Sequence, residues 1–133
     1  MDAKEFVQHI ALKNYEASKA DPTDFLKLWN AFESMNVVAE YVALDRLEYG
    51  AAPRKKIEAT YQAVRKEYPA LQSIKEGAEM FKHVRRHDNK GEVTGSSTAI
   101  SPSDSMTWVY KSRSLRDILD QAAAVLPSIP ELN

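Results

Sequence analysis

The amino-acid sequence predicts a mainly α-helical protein, folded as a four- to five-helix up-and-down bundle with a β-hairpin at about 92–110, before the last helix. Apolar residues recur every three or four positions over residues 3–86 and 115–126, which is the period of an amphipathic helix. From Gly91 to Lys111 this period disappears, and β-branched and small residues replace it. The length of 133 residues and the 44% hydrophobic content predict a single domain, residues 1–133.

The first predicted helix covers about 3–20 and ends at the turn sequence Asp21-Pro22-Thr23-Asp24. Pro22 has no amide hydrogen and disfavours helical geometry in the residue before it. The same turn can begin the second helix, with Asp21 as the N-cap and Pro22 in the first turn. The apolar stripe predicted for the first helix consists of Ala3, Phe6, Val7, Ile10, Asn14 and Ala17.

The second predicted helix, residues 22–49, is apolar around most of its circumference. Its main face is widened by residues such as Val37, Val38 and Tyr41, and Gly50 is expected to end it. A helix of this kind usually lies at the centre of a bundle, or in a dimer interface as well. We therefore expect the helix 22–49 to contact a second copy of the chain or another protein partner.

The remaining helices are delimited by prolines and by one N-cap. Pro53 opens the third helix, and a fourth helix is predicted at about 69–86, with Gly77 beside its apolar stripe. Glycine is unfavourable inside a helix, so we expect that close packing against another helix explains the presence of Gly77. Ser114 is the expected N-cap of the last helix, residues 115–126, and residues 127–133 are predicted to form a C-terminal tail.

Composition excludes several classes of protein. The sequence has no cysteine, which excludes disulfides, thiolate metal sites and cysteine nucleophiles. It has four glycines and no glycine-rich phosphate-binding motif, and we expect no cofactor. The first residues, MDAKEFVQ, do not resemble a signal peptide, and no apolar run is long enough to span a membrane. These features predict a cytoplasmic protein that does not bind membranes.

Charge is distributed unevenly along the chain. Residues 1–50 carry five Lys/Arg and nine Asp/Glu, whereas residues 51–133 carry thirteen and ten. The basic excess is concentrated in residues 82–116, which carry seven Lys/Arg and three acids. Such asymmetry is compatible with self-association or with an anionic ligand, and also with helices that differ only in their solvated charges.

The end of the fourth helix holds the main candidates for chemistry. A cluster of Lys, Arg and His at a helix C-terminus stabilises the negative pole of the helix dipole, which is the structural interpretation. The phosphate- or nucleic-acid-binding interpretation assigns oxygen contacts to Lys82, Arg85, Arg86 and Lys90, with acid–base catalysis by His83 or His87.

A metal-binding interpretation uses the helical spacing of the same segment. Glu79, His83 and His87 follow one another at four-residue intervals, so a helix would place them on one face. Two histidines at this spacing can bind a divalent metal, with Glu79 as a third ligand or as an orienting group.

The order of a helix ending in Phe81-Lys82-His83, a hairpin and a last helix resembles short prokaryotic helical proteins with a bundle shape like that of the HEPN superfamily. The resemblance covers about residues 25–125. Many HEPN proteins are RNases of toxin or phage-defence systems, and their catalytic mark is an Arg followed at a short spacing by a His. Here Lys82 precedes His87 at a comparable spacing, with Lys where the family has Arg. Lysine lacks the planar, bidentate donor geometry of arginine.

The sequence therefore predicts a small interaction protein, a homodimer or other homo-oligomer without catalytic activity. The alternative is an HEPN-like RNase, or a nucleic-acid- or phosphate-binding protein, that uses the basic end of the fourth helix.

Overall fold

The computed structural model describes residues 1–47, 52–83, 93–95, 108–110 and 113–133, with the backbone alone described at 80–83, 93–95 and 108–110. Within these residues the chain forms five helices, three short strands and two C-terminal 3-10 turns. The helices are α1 (residues 3–20), α2 (Phe25–Arg46), α3 (Arg54–Glu67), α4 (Pro69–His83) and α5 (Leu115–Val125).

The predicted helical bundle is confirmed, and α2 lies at its centre. This helix contacts all four other helices and the last 3-10 turn. Its buried side chains include Leu28, Phe32, Met35, Val38 and Val42, which recur at helical spacing. The helix that the sequence shows to be apolar over most of its circumference is therefore the one that other helices surround.

The strands form a small antiparallel sheet beside the helices. Strand β1 (Val93–Gly95) pairs with β2 (Trp108–Tyr110), which pairs in turn with β3 (Arg113–Ser114). The first pair lies within the predicted hairpin, whereas the sequence did not predict β3. The sheet contacts α5 through β2 and β3, which gives a short hairpin the packing that it needs for stability.

Helix α1 contains a π-helical turn that the sequence did not predict. The turn covers Val7–Ala11, between α-helical segments at Ala3–Phe6 and Leu12–Ala20. A π turn holds about one more residue than an α turn, so every later side chain is displaced by one position on the helix surface. The stripe positions predicted after the turn, 14 and 17, are wrong for this reason, whereas Ile10, inside the turn, is half-buried and packs against the core. The most buried residues after the turn are Ala11, Tyr15 and Ser18.

Helix α2 begins three residues later than predicted. Asp24, not Asp21, is the N-cap: its carboxylate accepts a hydrogen bond from the Lys27 backbone N–H at 3.2 Å. Asp21 instead belongs to the preceding turn, where its carbonyl accepts a hydrogen bond from the Asp24 N–H at 3.1 Å. Arg46 is the last residue of α2, and the predicted end at Tyr49 and Gly50 lies outside the described residues.

Gly77 lies where α4 crosses α2. A Cβ atom at this position would lie 2.5 Å from Cε1 of Phe32, which is fully buried. The close packing expected from a glycine inside a helix is therefore present. The predicted end of the fourth helix, residues 84–86, lies outside the described residues.

The segment 127–133, predicted as a tail, is attached to the bundle. It continues from α5 through 3-10 turns at Leu126–Ser128 and Pro130–Leu132. Ile129 between them is fully buried. The last turn contacts both α1 and α2, so these residues complete the core.

Candidate binding cleft

The residues that the sequence singled out lie at the end of α4 and beyond it. Lys82 and His83 are in the last turn of the helix, where the backbone is described. The other predicted residues of this cluster, Arg85, Arg86, His87 and Lys90, lie outside the described residues. The structure therefore tests neither the phosphate-binding set nor the pair Lys82 and His87.

Glu79 is the one member of the predicted metal set whose side chain is described. It is exposed, and its carboxylate lies 3.9 Å from Lys75 Nζ. Across the described ranges, no three His, Cys, Asp or Glu side chains are grouped so that they could hold a metal ion. The set Glu79, His83 and His87 extends beyond those ranges and stays a prediction.

Glu79 also belongs to a polar cleft that the sequence did not predict. The cleft lies among α2, α3 and α4 and has a volume of about 360 Å³. Each helix contributes residues at intervals of three or four, which is the spacing of one helix face. The lining residues are Asn36 and Glu40 of α2, Glu58, Tyr61, Gln62 and Arg65 of α3, and Lys75 and Glu79 of α4.

Arg65 is the most buried charged group of the cleft. The residue is only 6% exposed, because it lies beside the fully buried Val64 on the face of α3 that packs against the bundle. Its Nη2 donates a long hydrogen bond of 3.4 Å to Asn36 Oδ1 and lies 3.9 Å from Glu40 Oε1. Both partners come from α2, so Arg65 links the second and third helices at the cleft.

The guanidinium of Arg65 has unused hydrogen-bonding capacity. Its Nε is buried and has no hydrogen-bond partner among the described residues. Burial lowers the pKa of Arg65, while the nearby carboxylates of Glu40 and Glu79 oppose that change. Arginine nevertheless stays protonated in proteins, so the cleft contains a buried, incompletely paired positive charge.

Carboxylates surround this cation at more exposed positions. The side chains of Glu40 and Glu79 are 40% and 53% exposed. The carboxylate of Glu58 accepts a hydrogen bond of 3.0 Å from the exposed Arg54, one turn earlier in α3. The described part of the lining thus holds two cations and three carboxylates, and the arginine is the most buried of these five groups.

Tyr61 is the one aromatic residue that the described part of the chain contributes to the cleft lining. Burial raises the pKa of its phenol; the Glu40 carboxylate acts in the same direction and Arg65 in the opposite one. The phenol is therefore neutral at physiological pH and can both donate and accept a hydrogen bond. Its ring offers an apolar surface to the hydrocarbon part of a ligand.

A second buried arginine, Arg116, belongs to a structural cluster instead. Its Nη2 donates to Ser18 Oγ at 3.0 Å, and Nη1 lies 3.7 Å from the Asp120 carboxylate. The Tyr15 hydroxyl donates to the same carboxylate at 2.7 Å. These contacts join α1 to α5, and none of the four residues lines the cleft.

Arg65 could have been identified from its spacing in the sequence. In the sequence of the third helix, Tyr61, Val64 and Tyr68 recur at helical spacing and form an apolar stripe, and Arg65 is four residues after Tyr61. A helix therefore places Arg65 at the edge of an apolar stripe, where a charged side chain is rarely buried without a partner. The neighbours from α2 and α4 cannot be deduced from the sequence, because they depend on how the helices cross.

Comparison with known protein families, curated proteins and solved structures found no match.

Proposed function

We propose that this protein binds a small molecule through an anionic group, in the cleft among α2, α3 and α4. The observation that carries the proposal is the buried Arg65, whose Nε has no hydrogen-bond partner among the described residues. An unsatisfied buried donor costs about 1–3 kcal/mol, and more when it is charged. A carboxylate or phosphate oxygen at this position would remove that cost and would match the planar donor geometry of a guanidinium.

The shape of the site supports binding of a small ligand. A volume of about 360 Å³ lies within the range of small-molecule pockets. The polar groups come from three helices rather than from loops, which favours a rigid arrangement.

The experiment is titration of the protein with acetate, propionate and inorganic phosphate, followed by NMR chemical-shift changes. We expect saturable shifts at residues of the cleft, and at least a tenfold loss of affinity, as an order of magnitude, in Arg65→Met. Arg54→Met is the matched control, because Arg54 is in the same helix and its side chain is 91% exposed. Arg65→Lys preserves the charge and provides a second variant if the methionine variant unfolds. Absence of saturation with all three anions, or equal affinity in both Arg65 variants and the wild type, would contradict the proposal.

Association with a protein partner is a second candidate, and we propose the start of α2 as its site. The bundle covers most of this helix, but Leu26 is 65% exposed. The rings of Phe25 and Trp29 lie beside it, with centroids 6.2 Å apart in an edge-to-face arrangement. Aromatic and aliphatic groups together at a surface are typical of protein contacts.

Light scattering at increasing protein concentration tests this second candidate. A homodimer formed through the start of α2 should dissociate in Leu26→Glu and remain intact in Lys56→Glu, an exposed position of α3. A wild-type protein that stays at 15.0 kDa at the highest concentration would contradict self-association.

A further inference from the structure

The inference concerns the ligand of the cleft and rests on the proposed function. We infer that the ligand is amphoteric: a molecule with a carboxylate that binds Arg65 and an ammonium group that binds the carboxylates of Glu40 and Glu79. The simplest chemical class with these two groups is a zwitterionic amino acid. The inference combines two independent observations, the buried arginine and the arrangement of acids around it.

The first observation selects the anionic group of the ligand. Arg65 is the deepest charged group of the cleft, and its Nε lacks a hydrogen-bond partner among the described residues. The amide of Asn36 lies beside it, with Oδ1 at 3.4 Å from Nη2, and can donate from its NH₂ group. A carboxylate can accept from two donors at once, which suits this pair.

The second observation favours a ligand that carries a positive charge besides its anionic group. Among the residues that the structure describes, three carboxylates line the same cleft as the two cations Arg65 and Lys75. A phosphate or other dianion would therefore approach a lining whose formal charge is already negative, and like charges at short range reduce affinity. A ligand that carries only positive charge would be opposed by Arg65 in the same way.

The ion pairs within the cleft leave the acids able to bind an ammonium group. Glu40 lies 3.9 Å from Arg65, and Glu79 lies 3.9 Å from Lys75. Both distances are longer than a hydrogen bond, so each carboxylate oxygen retains acceptor capacity. These acids are on α2 and α4, on two sides of the cleft, and Arg65 is on α3. A ligand with charges of both signs can thus contact all three helices.

The experiment compares amino acids with carboxylates that lack the amine. The probes are glycine, β-alanine, 4-aminobutyrate and 6-aminohexanoate, paired with acetate, propionate, butyrate and hexanoate, and binding is followed by NMR titration. We expect at least one amino compound to bind about tenfold more tightly than its partner, which is about 1.4 kcal/mol. The best chain length in the series reports the separation of the two subsites.

Three variants assign the two subsites. Glu40→Gln and Glu79→Gln should reduce the preference for the amino compound over its partner, and they should not weaken binding of the carboxylate, because each removes a negative charge from the cleft. Arg65→Met should weaken both compounds. Glu16→Gln is the control, because Glu16 is an exposed acid of α1, outside the cleft.

The possible results separate the inference from the proposed function. Equal affinity for amino compounds and carboxylates, with both lost in Arg65→Met, would overturn the inference and leave anion binding in place. The same holds if the amino compound binds more tightly but neither glutamine variant reduces that preference. Binding of no probe, or binding that Arg65→Met does not change, would overturn both.

Discussion

Gly77 determines how closely α4 approaches the central helix. Its position is in contact with the ring of Phe32, and an added Cβ would lie 2.5 Å from Cε1 of that ring. The neighbouring Ala78 is fully buried as well, so the helix cannot rotate to relieve the contact without exposing core residues. A single hydrogen atom in place of a methyl group therefore sets the distance between two helices.

We predict that Gly77→Ala destabilises the protein, because overpacking a core usually costs about 1–3 kcal/mol. This effect should exceed the gain of about 1 kcal/mol that alanine brings to a helix interior. Urea unfolding measures the difference. In a Phe32→Leu background the same substitution should cost less, because the ring that opposes the methyl group is gone. An increase in stability in the wild-type background would contradict the assigned contact.

Ionisation of the Tyr15 phenol should lower the stability of the fold at alkaline pH. Its hydroxyl donates to Asp120, and burial together with this hydrogen bond raises the pKa of the phenol from 10.0 to about 12. The folded protein thus retains the phenol proton over a range in which the unfolded chain loses it. The contribution of this group to stability is complete below pH 10 and is lost as the pH rises through about 12.

Tyr15→Phe should remove that pH dependence and should cost about 1.5–3 kcal/mol at neutral pH, as expected for a hydrogen bond to a charged group. The measurement is the urea midpoint of both proteins from pH 7 to pH 12. The two curves should converge as the pH rises. Parallel curves throughout would mean that the hydrogen bond from Tyr15 to Asp120 does not stabilise the fold.

At the scale of single elements, the π turn of α1 keeps one face of the helix on the core. Phe6 and Val7 are buried before the turn, and Tyr15 and Ser18 after it. Without the extra residue of the π turn, the side chains of Tyr15 and Ser18 would be rotated by about 100° around the helix axis, away from their present direction. The extra residue held in the turn compensates for this rotation.

Deletion of His9, an exposed residue in the turn, should convert the π turn into a regular α turn and keep Tyr15 and Ser18 on the core side. We expect a protein that still unfolds cooperatively, with a midpoint a few degrees lower. Deletion of Asn30, an exposed residue of the regular helix α2, should abolish cooperative unfolding, because the rest of the helix would rotate away from the core. Thermal melts followed by circular dichroism compare the two. Equal damage from both deletions would show that the π turn does not accommodate the change of register.

Most helix ends can be predicted from capping residues close to them in the sequence. The deviations from these predictions are caused by packing between helices. Ser114 caps α5 as predicted, with its hydroxyl accepting from the Asp117 N–H at 3.0 Å, because this contact involves residues three apart. The choice of Asp24 over Asp21 at the start of α2 and the π turn of α1 were not predictable in this way. Both depend on which orientation of a helix buries more of its apolar surface, and that is decided by neighbouring helices.

The candidate site depends even more on helix packing than the helix ends do. The sequence-based candidates are mainly the Lys, Arg and His residues after Glu79, because they are clustered in the chain and their side chains can bind anions or metals. The cleft is assembled instead from residues 36–79 on three helices, and only their packing brings them together. Glu79 belongs both to the sequence-based candidates and to the observed cleft.

At the scale of the whole molecule, the C-terminal residues act as part of the core. Ile129 is fully buried, and Glu131 receives a hydrogen bond from Arg46 Nε. Arg46 also donates to Glu67 at 2.8 Å, so its guanidinium connects α2, α3 and the last 3-10 turn. The turn is therefore fixed by both apolar burial and a charged hydrogen-bond network.

We predict that Ile129→Ala lowers the free energy of unfolding by about 2–5 kcal/mol, as is usual when a large core side chain is truncated. Leu132→Ala, at a half-buried position of the same segment, should cost clearly less. Urea unfolding of the two variants makes the comparison. A loss below about 0.5 kcal/mol for Ile129→Ala, the range of surface substitutions, would mean that residues 127–133 contribute no core contact.

Two adjacent residues at the end of α2 form hydrogen bonds with the first and the last described segments of the chain. The Asp45 carboxylate accepts from the Ala3 N–H at 3.0 Å, and the neighbouring Arg46 binds Glu131. The first turn of α1 also contacts the last 3-10 turn. In amide hydrogen exchange, residues 3–7 and 129–133 should therefore open as one cooperative unit, in spite of their separation in the chain. Fraying of the last turn of α2 would release both segments in a single event.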